Sequence, residues 1–191
     1  MHIHDIFRVP IYETRLNLDI KELISFCNAY KQIDKGRVVS NVGGYQSNAI
    51  SLDKPALKPL AKEIEKHSSL FAKEFINENK QNVLNIWMSI NGYKDCNLSH
   101  NHPMCDIAGT YYVKTPEDCG NIKFVHPATD VLSYYTYEQK ITQLNSYNSQ
   151  EWIFKPRENT LYLFPGWLQH YVLANNNKKE ESISFSFNTN Q

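Results

Sequence analysis

Three of the seven histidines stand where their spacing suits a metal ion. His100 and His102 flank Asn101 and precede Pro103. In extended backbone, side chains two residues apart point the same way, so both imidazoles can reach one ion. His170 closes the run Phe164-Pro-Gly-Trp-Leu-Gln-His170, where one strand turns and another begins. A close pair joined by one distant ligand suits a barrel, in which strands remote in sequence become neighbours. A second donor set overlaps the first: Cys96-x3-His100-x-His102-x2-Cys105 gathers four zinc-type ligands within ten positions. His2, His4, His67 and His126 have no such company and read as ordinary surface or core residues.

The same histidines fall inside a longer ordered pattern. Ser99-His-Asn-His-Pro103 is followed by Ile107-Ala-Gly-Thr-Tyr-Tyr-Val113, then by Gly120-Asn-Ile-Lys-Phe124. Leu161-Tyr-Leu-Phe-Pro-Gly-Trp-Leu-Gln-His170 and Ser182-Ile-Ser-Phe-Ser-Phe-Asn188 come after them. Together these segments resemble a family of 2-oxoglutarate and Fe(II)-dependent oxygenases whose motifs read approximately HxHP, SGxYYV, GxIxF, LFPxWLxH and RISISFN. The resemblance spans about residues 83–189, with weaker echoes in Phe7-Arg-Val-Pro10 and Asn41-Val-Gly-Gly-Tyr-Gln46.

The resemblance implies a double-stranded β-helix, or jelly roll, holding iron at the mouth between its sheets. In the wider superfamily two His and one carboxylate form a facial triad that leaves positions for 2-oxoglutarate and oxygen. His100 and His170 match the histidine positions, and His102 falls where the carboxylate would stand; Asp106 is the alternative ligand. The cosubstrate normally meets an Arg on the last strand, which pairs its distal carboxylate. That Arg position falls on Ser182, and the aspartate-proline-arginine that often follows GxIxF is His126-Pro-Ala128 here. Lys123, Lys178 and Lys179 are the candidate replacements, with Lys123 favoured because it lies in an expected strand; Tyr112 or Tyr111 could add a hydrogen bond. The expected cofactors are Fe(II) and 2-oxoglutarate, used to hydroxylate an unidentified substrate. The rival readings are a zinc-stabilised module without catalysis, using Cys96, Cys105, His100 and His102, and an oxygenase scaffold that keeps only the metal.

The elements that must position these residues can be read from apolar spacing. Ile6–Tyr12 alternates and carries Pro10, which suits an edge strand. Ile20, Leu23, Ile24 and Cys27 have helical spacing behind Asp19, a capping residue. Val42–Asn48 is loop chemistry, and Pro55 opens a longer helix with a stripe at Leu57, Leu60, Ile64, Leu70, Phe71 and Phe75. Seven short strands follow, at 83–90, 108–113, 121–125, 151–154, 160–164, 171–173 and 182–188. One α+β, mainly β domain results, with helical support over about 1–82 and a β core over about 83–189. Pro127–Gln150 lacks periodicity and reads equally as a lid or substrate-recognition loop whose Tyr134, Tyr135 and Tyr137 reach the site, or as a solvated excursion or extra helix packed elsewhere. Trp87, Trp152 and Trp167 are expected in the core or at its rim.

Composition narrows the setting. The chain has 191 residues, with 20 basic side chains against 20 acidic ones, so no global field draws it to nucleic acid or anionic lipid. A hydrophobic fraction of 41% supplies a core. No apolar run reaches the roughly 18 residues of a membrane span, and the first residues have no signal-peptide pattern. Four cysteines without a CxxC pair fit a reduced compartment, so a cytoplasmic location is expected. The substrate and the oligomeric state are not legible.

Overall fold

Asp19 starts the first helix as its position suggests: its side chain accepts the N–H groups of Lys21 and Glu22 at 2.9 and 3.1 Å. Helix α1 (Ile20–Lys31) buries Leu23 and Cys27. A 3-10 turn over Pro55–Leu57 leads into α2 (Lys58–Phe75), which buries Leu60, Ile64, Phe71 and Ala72 along one stripe but leaves Leu70, expected in it, exposed. The computed structural model describes residues 2, 4, 6–76, 80–137 and 141–191. No helix among them is long and apolar enough to cross a membrane.

The strands are β1 (Tyr12–Arg15), β2 (Asn41–Val42), β3 (Tyr45–Gln46), β4 (Asn82–Asn91), β5 (Cys96–His100) and β6 (Ile107–Lys114). They continue as β7 (Ile122–Val125), β8 (Glu151–Phe154), β9 (Thr160–Pro165), β10 (His170–Val172) and β11 (Ser182–Asn190). They form two antiparallel sheets, ordered β1-β9-β6-β11-β4-β3 and β2-β5-β10-β7-β8. The fold is a mainly β jelly roll with helices backing the larger sheet. Three expectations are corrected. The first strand begins at Tyr12 instead of spanning Ile6–Tyr12, and Pro10 has no N–H to give a ladder. Cys96–His100 pairs as β5 between β2 and β10. Val42–Asn48, read as loop, holds β3, which pairs with β4. Within Pro127–Gln150, Thr129–Tyr137 is a helix, α3, one of the alternatives expected there.

Alternation along the larger sheet separates two environments. Ile86, Met88 and Ile90 of β4, Tyr111 and Val113 of β6, and Phe185 and Phe187 of β11 share one core with Leu60, Ile64 and Phe71 of α2. The intervening residues point between the sheets: Trp87, Ser89 and Asn91, Thr110 and Tyr112, and Ser182, Ser184 and Ser186 line a narrow cavity there. Gly109 permits this packing, because a Cβ at that position would lie 2.3 Å from the Phe187 ring.

Candidate metal centre

The three histidines are brought together by strand pairing and one turn. His100, at the end of β5, is the register partner of His170, at the start of β10, so the two side chains share a face. His102 follows two residues later, and its N–H donates to the Gly166 carbonyl at 2.8 Å. Gly166 is the glycine of Phe164-Pro-Gly-Trp167, and a Cβ on it would lie 2.3 Å from the Cys105 carbonyl oxygen. That close approach locks the turn before His170 against the loop after His102. One ring nitrogen of each histidine lies within 4.8 Å of the other two.

Each ring is oriented by its other nitrogen. His100 Nδ1 donates to the Leu98 carbonyl at 2.7 Å, and His170 Nδ1 to the Leu168 carbonyl at 2.9 Å. Carbonyls only accept, so the proton sits on Nδ1 and Nε2 keeps its lone pair. For His102 the acceptor is Asn188 Oδ1. The Asn188 amide is itself oriented, since its Nδ2 donates to Asn85 Oδ1 at 3.1 Å. Asn85 and Asn188 were missed by sequence reasoning, because an asparagine in a strand carries no mark of what it faces.

Burial keeps the imidazoles uncharged. It lowers the His170 pKa to about 3, with His100 and His102 adding repulsion. Burial likewise lowers His102 to about 4, to which His100 contributes, while the Asn188 bond opposes the shift. His100 is lowered by the same cause, with its bond to Leu98 opposing. Three neutral nitrogen donors on one side of a cavity suit a divalent ion of intermediate softness such as Fe(II), and leave its other side facing the cavity. The residues therefore fit the metal.

Other expected site residues lie elsewhere. Asp106 is outside the cluster: its Oδ2 accepts from Gln81 Nε2 and from the Gln191 N–H, both at 3.2 Å. Cys96 stands four residues before His100 on β5, opposite Val42. Cys105 donates to the His102 carbonyl at 3.3 Å, and burial together with Asp106 pushes its thiol up to about 11. Among the described residues neither cysteine joins the group of ligand atoms that the three histidines form. Lys123 alternates with the buried Ile122 and Phe124 and so points away from the cavity, its Nζ 2.8 Å from Glu151. Lys178 lies over the Tyr93 ring, and the exposed Lys179 gives its N–H to Asn177. Tyr111 belongs to the helix-side core and donates to Asn159 at 2.6 Å. Tyr112 and Ser182 do line the cavity. Arg37 was not anticipated: its guanidinium carbon lies 5.5 Å from the centre of the Trp87 ring.

The expected lid contributes no described residue to this cavity. Among the described residues, none from 127–150 lines the histidine cavity, and Tyr134 is exposed on α3. Tyr135 and Tyr137 have side chains outside the described set. Ser146, Tyr147 and Ser149 instead face Phe7, Val9 and Ile11 across a separate cleft of about 670 Å³. Trp167 and Trp152 are half exposed, at the rim.

Fold and site together define a jelly-roll protein with a three-histidine pocket between its sheets. The model of the family described as "Putative 2OG-Fe(II) oxygenase" matches residues 85–188, just over half of the chain, and the chain belongs to that family. It is thus an oxidoreductase of the class that uses Fe(II) and 2-oxoglutarate. Solved structures share the fold at low identity. A prolyl-4-hydroxylase from Pseudomonas putida is 10% identical at a TM-score of 0.65, covering 96% of this chain and 93% of its own. HygX from Streptomyces hygroscopicus, with nickel and 2-oxoglutarate bound, is 10% identical at 0.61, covering 94% and 83%. A viral collagen prolyl hydroxylase from Paramecium Bursaria Chlorella virus-1, in a 2-oxoglutarate complex, is 13% identical at 0.57, covering 95% and 96%. No curated protein matches the chain.

Proposed function

We propose that His100, His102 and His170 hold Fe(II) through Nε2, and that the cavity between the sheets receives 2-oxoglutarate beside it. The observation that carries this reading is that each Nδ1 proton already has an acceptor, on Leu98, Asn188 and Leu168 respectively. All three bare nitrogens are thereby turned to one place. When bound, the iron and the oxo acid would activate dioxygen, of which one atom would enter the substrate C–H bond as a hydroxyl and the other the succinate left when 2-oxoglutarate loses carbon dioxide. The protein's part is to hold the rings neutral, to fix their direction through the Leu98 and Leu168 carbonyls and the Asn188 amide, and to shield the site with Trp87, Phe164 and Ile122. The likeness to HygX and to the viral hydroxylase, both seen with 2-oxoglutarate, supports the cosubstrate.

Anaerobic titration with Fe(II) tests the site. The native protein is expected to take up one iron and, on addition of 2-oxoglutarate, to develop a visible charge-transfer band. His170→Ala should lose both while keeping its circular dichroism. Stoichiometric iron retained in that variant would overturn the ligand set.

A further inference from the structure

Among the described residues, the cavity beside the histidines has no charged side chain in its lining to pair with a second carboxylate. Its described lining is Ser40, Trp87, Ser89, Asn91, Asn97, Thr110, Tyr112, Ser182, Ser184, Ser186 and apolar neighbours, none of them charged. The lysines that could have entered are placed elsewhere: Lys123 on Glu151, Lys178 on Tyr93 and Lys114 on Glu180. A dianionic oxo acid put there faces a neutral wall, which is costly unless some other charge compensates.

The metal can be that charge. In a site of two histidines and one carboxylate, the ion's two positive charges are cancelled by the protein carboxylate and the chelating carboxylate of the oxo acid. The distal carboxylate then needs its own cation. With three neutral imidazoles, the chelated ion keeps one positive charge, and the distal carboxylate brings the total to zero. Charges that sum to zero are what a cavity of low effective dielectric favours. We propose that this protein binds 2-oxoglutarate without a cationic side chain: the three-histidine iron supplies the countercharge, and hydroxyl groups along β11 receive the distal carboxylate. The proposal rests on the reading of His100, His102 and His170 as iron ligands.

Strand register places those hydroxyls in rungs leading inward from the histidines. Asn188, which touches His102, is level with Asn85 and Ala108; Ser186 is level with Trp87 and Thr110; Ser184 with Ser89 and Tyr112; and Ser182 with Asn91. A carboxylate only accepts, and hydroxyls can donate to it. The column stops at the fourth rung. Asn91 gives its Nδ2 to Asn97, its buried Oδ1 has no partner, and the Ser182 hydroxyl is turned to the Asn91 carbonyl at 3.5 Å. The third rung, Ser184 with Ser89 and Tyr112, is therefore the last to turn hydroxyls to the cavity, and there the Tyr112 phenol also shares a hydrogen bond with Thr110 of the second rung.

The test is a charge-exchange cycle on the anaerobic Fe(II) protein, with 2-oxoglutarate affinity read from the charge-transfer band and metal affinity titrated separately. Asn188→Asp sets a negative charge against His102 without altering a ligand, and His102→Asp does so within the ligand set. Either is expected to keep the metal and to weaken 2-oxoglutarate about tenfold or more. Adding Ser182→Arg to either variant should restore most of the loss, whereas Ser182→Arg alone in the native protein should improve affinity by less than about threefold. A hundredfold gain from Ser182→Arg alone would mean that the distal carboxylate was unpaired, and the proposal would fall. It would fall equally if an aspartate variant that holds metal bound 2-oxoglutarate as the native protein does, or if Arg37→Gln weakened binding tenfold. Failure of the native protein to take up Fe(II) would instead refute the ligand assignment.

Discussion

Neighbouring residues of β11 do opposite work. Phe185 and Phe187 are fully buried among the apolar residues of β4, β6 and the helices, while Ser184, Ser186 and Asn188 face the space between the sheets. The same division runs through β4, where Ile86, Met88 and Ile90 oppose Trp87, Ser89 and Asn91. Removing apolar surface from water stabilises the first face. Hydroxyls and amides gain little net stability from burial and lose much when left unpaired, so the second face cannot be the source of the fold's stability. The helix-backed face sustains a polar cavity that is free to carry chemistry. Position along a strand thus separates folding from function, one residue at a time.

The largest effect expected of this division is on stability. Phe187→Ala removes a fully buried ring that packs against Gly109, and should cost about 3–5 kcal/mol in chemical denaturation. Ser186→Ala, one residue away, should cost less than about 1 kcal/mol. Equal losses at both positions would end the distinction between the faces.

Acid should expose the cost of the interior face. The three histidines are held neutral in the folded protein, with His102 lowered to about 4 and His170 to about 3. In the unfolded chain they titrate near 6.5. Above that value neither state binds the protons, and stability is at its full level. As pH falls below it the unfolded chain takes up protons that the folded state refuses, so stability is lost progressively down to the folded pKa values. His102 alone should account for a loss of about 3 kcal/mol across that window. Denaturation of metal-free protein at pH 7.5, 6 and 5 should show the decline, and His102→Asn should flatten it. A slope unchanged by that substitution would show the ring to be hydrated and charged in the folded state.

Legibility in the sequence follows the same line. Helical spacing with a capping Asp19 gave away α1, and the apolar alternation of β6, β9 and β11 was visible because the helix-backed face must be greasy. Strand β5 escaped notice: Cys96-Asn-Leu-Ser-His100 has no β-branched residue, and it is a strand only because β2 and β10 flank it. Helix α3 stands in the sequence only as an alternative, because Thr129–Tyr137 has no continuous apolar stripe. The histidine pair and His170 could be found from spacing and from the surrounding motif. The Asn85–Asn188 link to His102 could not, since it joins residues about a hundred positions apart through an amide that reads as neutral filler. The outward direction of Lys123 follows from its alternation with the apolar Ile122 and Phe124.

That lysine gives the smallest effect and a sharp check on direction. In β7 the buried Ile122 and Phe124 fix the inward face, which sends Lys123 outward to Glu151, where Tyr171 also donates at 2.7 Å. Glu151 holds the Lys123 pKa above its usual value through this hydrogen bond, and Lys123 lowers that of Glu151. Both partners are partly exposed, so the pair is screened and contributes only about 0.2–1 kcal/mol. Lys123→Met keeps the length of the side chain and removes the charge. It should therefore lower stability by less than about 1 kcal/mol, more at low salt than at high, and leave the 2-oxoglutarate affinity of the iron-loaded protein unchanged. A weakening of tenfold would mean that β7 turns its other edge to the cavity, which its pairing with β10 through Phe124 and His170 forbids. The alternation that separates the two faces of β11 would then fail in the opposite sheet.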